Sequence, residues 1–209
     1  MSIQKMIVWE HHPLAQQPTL FQQLPAVGGF DLGRWRHPSH CAILLPENER
    51  PRCQRFIQIA SIWLDQEPYL KQIQTLDDLN LPFRDGVIFL DNTRDELTAL
   101  REIGQLPSDF RLIQITAENK FRMAHRLLLA LEEGRLVLLP DERQKKSLLQ
   151  VNMLLRSDEN AEVGHGEALT SLMLALEAAA HSGWSSLDLL RQLRHRQRFA
   201  YHNDRGSME

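Results

Sequence analysis

Cysteine is nearly absent: the 209 residues hold two, Cys41 and Cys53. That is too few for a disulfide scaffold and points away from redox chemistry. No run of 18 or more apolar residues exists to span a bilayer, and the start lacks the basic, apolar and small-residue order of a secretory signal. The expectation is a cytoplasmic chain with no membrane partner. Internal repeats and low-complexity tracts are lacking too, and no G-x-x-x-x-G-K-[ST] loop is present to cradle nucleotide phosphates. What is there, 43% apolar and 24% charged residues, suits one ordinary globular domain or at most two small ones with a real core.

Charge is uneven along the chain. The formal net charge is −3, yet Arg191, Arg194, Arg196, Arg198 and Arg205 face only Asp204 between positions 191 and 205. An acidic body with a basic tail suits a protein that touches a polyanion at one edge and gathers acids elsewhere. On charge alone, a solvated terminal helix accounts for the tail.

Three segments are expected: 1–25 as a linker or late-packing strand, 26–183 as the main domain, and 184–209 as a basic helix and tail. Pro13, Pro18 and Pro25 break any period in the first. Val27–Gly33, Cys41–Leu45 and Arg55–Trp63 read as three neighbouring strands of an antiparallel meander. Helix and strand then alternate: helix Pro68–Leu79, strand Gly86–Leu90, helix from about Thr93 to Ile103, strand Phe110–Thr116, helix Asn119–Gly134 and a short apolar Leu136–Leu139. Two further helices are expected over Asp141–Arg156 and Glu167–Ala180. Strands first in a meander, then alternating with helices, describe an α/β mixed sheet with helices on both faces.

Two acids stand out because each follows an apolar strand: Asp31 after Val27-Gly-Gly-Phe30, and Asp91 after Gly86–Leu90. A buried carboxylate needs a metal, a basic partner or a helix N-terminus. For Asp91 the plain alternative is an N-cap for the helix near Thr93. Glu167 opens the last helix near its apolar face, where it either complements the helix dipole or does chemistry. A zinc site from His37, His40, Cys41 and Cys53 fits no strong ligand spacing.

Gly28-Gly-Phe-Asp-Leu-Gly-Arg-Trp-Arg-His-Pro-Ser39, Phe89-Leu-Asp-Asn-Thr93 and Gly164-His-Gly-Glu-Ala-Leu-Thr-Ser-Leu-Met-Leu-Ala-Leu176 resemble, in order, the three acidic motifs of the nuclease domain of phage terminase large subunits. Ile115–Lys120 and Leu131–Pro140 are similar to the family's connecting segments, so the resemblance spans about three quarters of the chain. It implies an RNase H-like fold and metal-dependent cleavage of double-stranded DNA during genome packaging. It also implies Asp31, Asp91 and Glu167 as ligands of Mg²⁺ or Mn²⁺. Two such ions about 4 Å apart can activate a water and stabilise the leaving 3′-oxygen.

By the same resemblance Lys120 would stand near the metal site, the plain alternative being a solvated residue in the first helical turn; His165, within one turn of Glu167, is either in reach of a scissile phosphate or merely structural. Arg34, Arg36, Arg191, Arg194, Arg196 and Arg198 would neutralise flanking phosphates. The chain departs from the family's pattern at His37, where an aspartate is common, at Glu167, where aspartate is commoner, and at Asn92-Thr93-Arg94, where small residues and a glycine are usual. With no ATP loop, a separate packaging ATPase, a small terminase subunit or a portal are the expected partners. The alternative function is a catalytically weak or inactive RNase H-like module that binds DNA or packaging partners. A third reading is another RNase H-like enzyme, such as a junction resolvase or a transposase-like strand-transfer protein.

Overall fold

The computed structural model describes residues 5–6, 26–33, 37–47, 55–80, 87–152, 154–157 and 164–182. Arg34, Arg36, Cys53 and the basic tail lie outside the described residues.

Among the described residues seven strands form one sheet. They are β1 (Lys5–Met6), β2 (Val27–Asp31), β3 (Ser39–Pro46), β4 (Phe56–Leu64), β5 (Val87–Asp91), β6 (Phe110–Ile113) and β7 (Leu136–Val137). The order is β1-β4-β3-β2-β5-β6. β2, β3 and β4 pair antiparallel as the expected meander, and β5 and β6 run parallel to β2. β1 and β7 divide the outer edge of β4, β1 against Ser61 and Ile62 and β7 against Phe56 and Ile57. Within the opening segment, Lys5–Met6 join the sheet as a strand.

The helices are α1 (Tyr69–Asn80), α2 (Thr98–Glu102), α3 (Ala117–Glu132), α4 (Glu142–Leu149) and α5 (Glu167–His181). Alternation along the strands sorts the core into two layers. On one face Val27, Ala42, Leu44, Phe56 and Phe89 pack on α5 and on Met123, Leu127 and Ala130 of α3. On the other, Phe30, Cys41, Ile43, Ile62, Ile88 and Leu90 meet Ile73 and Leu76 of α1 and Leu97 ahead of α2. α5 reads as apolar nearly all round because it is buried along most of its length. Its one deeply buried acid in mid-helix, Glu177, is held by Arg122 (2.7 Å) and Arg126 of α3.

Strand β4 carries a bulge. Ala60 pairs with Ile43 and Gln58 with Leu44, leaving Ile59 without a partner. The extra residue inverts the alternation, so Gln58, Ser61 and Trp63 all face α4 and α5.

Five of the sequence readings end differently. The helix over Thr93–Ile103 shrinks to Thr98–Glu102 because the Asn92 side chain accepts from the Leu97 amide (2.9 Å), donates to Asp95 and Thr98, and Asp95 takes φ 63°. Asp91 accordingly caps no helix and instead accepts from the Thr93 amide at 2.9 Å. The helix over Asp141–Arg156 stops at Leu149: the Asn152 carboxamide accepts the Leu154 and Arg156 amides, and Leu155 sits at φ 56°. Leu70, Ile103, Phe121, Leu128 and Leu131, which fit helical apolar stripes, stay exposed. The zinc reading fails because alternation sends His40 and Cys41 to opposite faces, and both His40 ring nitrogens are engaged by serine hydroxyls.

Candidate active site

Asp31 and Asp91 are the last residues of two adjacent parallel strands, so both carboxylates leave the sheet at the same end. Each stands an even number of positions from a residue packed on α5, Val27 and Phe89 respectively, which puts both on the α5 side. Glu167 is the first residue of α5 and is buried. A cleft of about 320 Å³ is lined by these three acids with His37, Thr93, Arg94, Glu96, Ile115, Lys120, His165 and Thr170. The sites inferred for Asp31, Asp91, Glu167, Lys120 and His165 therefore share one cavity.

The approach of α5 to the strand depends on Gly29. A Cβ there would lie 1.9 Å from the Ser171 carbonyl oxygen and 2.4 Å from the Ala175 amide nitrogen. The helix backbone rests directly on β2, two residues before Asp31, and this brings the first turn of α5 to the strand's carboxyl end.

Crowding of acid on acid is visible in the electrostatics. Burial pushes the Asp31 pKa well above the usual carboxylate range, and the neighbouring Asp91 and Glu167 charges push it further. A hydrogen bond from Thr170 and the Lys120 ammonium pull the other way. Burial raises Glu167 to about 7, against the opposing pull of its own amide, those of His165 and Gly166, and Arg143. Lys120, in the first turn of α3, also donates to the Leu155 carbonyl at 3.1 Å. His165 is exposed at the rim and packs on His37, ring centroids 4.5 Å apart.

The donor set fits a hard divalent cation: carboxylate oxygens from three elements, one in a desolvated position. Glu167 Oε2 is also buried, with no hydrogen-bond partner among the described residues. As the side chains lie, no three His, Cys, Asp or Glu among the described residues stand close enough to close on one ion. The Glu167 carboxylate rests on Gly164: a Cβ at that glycine would meet Oε1 at 2.0 Å.

Thr170 was not legible as a site residue, although it lies one turn from Glu167 and its spacing puts it on the same helical face. Thr93 ties the end of β5 to the segment that follows β6, accepting from the Ile115 amide at 3.0 Å while donating to Asp91.

The meander, the two parallel strands and α5 across them define an RNase H-like fold, with its acids at the carboxyl end of the sheet. Among solved structures, the large terminase nuclease from thermophilic phage G20c matches with TM-score 0.57 at 13% identity, covering 74% of this chain and 82% of that one. The Thermus phage P74-26 large terminase nuclease domain matches with TM-score 0.55 at 15% identity over 78% and 84%. The G20c nuclease with bound magnesium matches with TM-score 0.58 at 15% identity over 74% and 81%. No family model matches the sequence, and no curated protein matches it. The chain thus has the fold of phage large-terminase nuclease domains.

Proposed function

We propose that this chain is a divalent-metal-dependent endonuclease that cuts double-stranded DNA, a packaging nuclease of the large-terminase kind. The observation that carries this reading is the desolvated Asp31 carboxyl, whose proton affinity is raised by Asp91 and Glu167 across one open cleft. Such crowding of carboxylates is unfavourable until a cation answers it. The G20c nuclease has been solved with magnesium, zinc and cobalt bound, which supports the same chemistry here.

In this reading Asp31, Asp91 and Glu167 hold Mg²⁺ or Mn²⁺, which supplies Lewis acidity and lowers the pKa of a bound water. Thr170 orients the Asp31 carboxyl. Lys120 faces the charge that develops on the phosphate. His165 and exposed Arg94 meet the backbone at the rim, with Arg34, Arg36, Arg191, Arg194, Arg196 and Arg198 of the sequence neutralising phosphates to either side. The protein works in the host cytoplasm, beside a separate packaging ATPase, small terminase subunit or portal.

The resting position of Glu167 on Gly164 favours one second reading, a catalytically weak module that binds DNA or packaging partners. Incubation with supercoiled plasmid and Mn²⁺ separates them. Nicking or linearisation that disappears with EDTA and in Asp91→Asn is the expected result. A folded protein that binds DNA yet never cuts it sinks the nuclease reading and leaves the module.

A further inference from the structure

Behind the acid cluster lies a buried polar chain that no hydrophobic core requires. The Asp141 carboxylate accepts from the Ser61 hydroxyl (2.6 Å) and from the Trp63 indole (3.1 Å). Ser61 is 2.9 Å from Nε2 of His40, and Nδ1 of His40 is 2.5 Å from the Ser171 hydroxyl. Asp141, Ser61, His40 and Ser171 are all buried. They join β4, the N-cap of α4, β3 and α5.

Counting protons gives this chain a direction. The single Ser61 proton goes to Asp141, so Ser61 accepts from Nε2–H of His40. Burial lowers the His40 pKa to about 3, leaving one ring proton at neutral pH. Nδ1 is therefore an acceptor, and Ser171 donates to it; the longer 3.1 Å contact from Ser171 to the Ala168 carbonyl is secondary. Every member is satisfied by this one arrangement, which makes a buried network specific instead of costly.

Its place in the fold is the telling feature. His40 is the direct cross-strand partner of Asp31. Ser171 follows Glu167 by one helical turn and adjoins Thr170, which bonds Asp31. The Ser147 hydroxyl of α4, the helix capped by Asp141, accepts from the Ala168 amide at 3.3 Å, a second tie on the same turn. Farther along, α5 packs through Leu172, Met173, Leu174, Ala175 and Leu176. Over the first turns of α5, where Glu167 and Thr170 stand, these hydrogen bonds add directional contacts, while the Glu177 ion pairs with Arg122 and Arg126 anchor the far end of the helix.

We propose that His40 and Ser171 are positioning residues: through the relay to Ser61 and Asp141 they fix the axial register of α5 on β3, and so hold Glu167 and Thr170 to Asp31. The proposal rests on the carboxylate site being a metal site, and its test keeps the two apart.

Mn²⁺ binding to the purified chain, followed by calorimetry, is measured for wild type, Ser171→Ala, Glu167→Ala and the double variant. Ser171→Ala is expected to weaken Mn²⁺ about tenfold, and to have no further effect once Glu167 is gone. Unchanged affinity in Ser171→Ala, or the same loss in the Glu167→Ala background, overturns the positioning role while leaving the metal site standing. A wild-type chain that binds no Mn²⁺ overturns the metal reading and this proposal with it. Should Ser171→Ala fail to fold, ¹⁵N imidazole shifts of wild-type His40 decide: protonated Nε2 with bare Nδ1 is required, and the opposite tautomer rules the relay out.

Discussion

The backbone of Ser171 occupies the space that a side chain on Gly29 would need, its carbonyl oxygen 1.9 Å from where a Cβ would stand. The obstacle is helix backbone on one side and strand backbone on the other, so neither can yield by rotating a side chain. Gly29→Ala is expected to destabilise the chain by about 3 kcal/mol or more, whereas Gly28→Ala, whose nearest neighbour is an Ile88 side-chain carbon at 3.0 Å, costs less. Denaturant unfolding of the two variants compares them directly, and equal midpoints would contradict the packing described.

The acids are held together at a cost that the cation-free protein bears. Glu167 has a folded pKa of about 7 against 4.5 for the free side chain, so the folded state binds the proton more tightly and stability falls as pH rises between those values. Glu167→Gln is therefore expected to raise the melting temperature at pH 8 in EDTA, by a margin worth roughly 1–3 kcal/mol, while reducing the Mn²⁺-dependent shift. A destabilised Gln variant in EDTA would show that the acid is a structural asset instead.

The opposite sign applies to His40. Its folded pKa of about 3 lies below the 6.5 of a free imidazole, so between those values the unfolded chain binds the extra proton and stability falls on acidification. The slope from this one group is about 1.4 kcal/mol per pH unit. From pH 6.5 to 4.5 it opposes both Glu167 and Asp31, whose raised pKa has the same sign as that of Glu167, so acidification in EDTA is not expected to destabilise the chain there. Saturating Mn²⁺ holds Glu167 ionised, leaving a profile that climbs with pH through the whole range. Thermal melts across pH with and without Mn²⁺ test both limbs.

Gly164 seats the Glu167 carboxylate and has φ 64°. Gly164→Ala adds about 1–2 kcal/mol of backbone strain and drives the carboxylate off its seat. Lys120→Met is different: it removes the ammonium beside Asp31 and should lower kcat with Mn²⁺ affinity kept or improved. A Lys120→Met variant with full turnover would assign the lysine to its Leu155 contact alone.

Much of the frame was readable from residues alone. Glycine and aliphatic runs marked β2, β3 and β5, and the meander followed from their short polar connections. Asp31, Asp91 and Glu167 announced themselves as acids where apolar elements end. Local side-chain chemistry hid the rest. Asn92 and Asn152 each fold their carboxamides onto backbone amides, and this shortened two helices that periodicity alone had extended. His40 looked like a stray ligand beside Cys41, because nothing in one stretch of sequence tells that Ser61 and Ser171 meet it from opposite sides. Thr170 and Ser171 read as ordinary polar positions of a helix, and only the approach of that helix to Gly29 gives them partners.

The bulge at Ile59 has a consequence for changes in chain length. With Ile59 removed, β4 alternates regularly and still presents Phe56, Gln58, Ser61 and Trp63 to α4 and α5, since the unpaired residue is the one taken out. Loss of Ile62 with the bulge kept instead turns Trp63 to the far side and severs it from Asp141. The strand can give up its unpaired residue without reversing what faces α4 and α5, whereas a loss beyond the bulge that leaves it in place reverses every residue that follows.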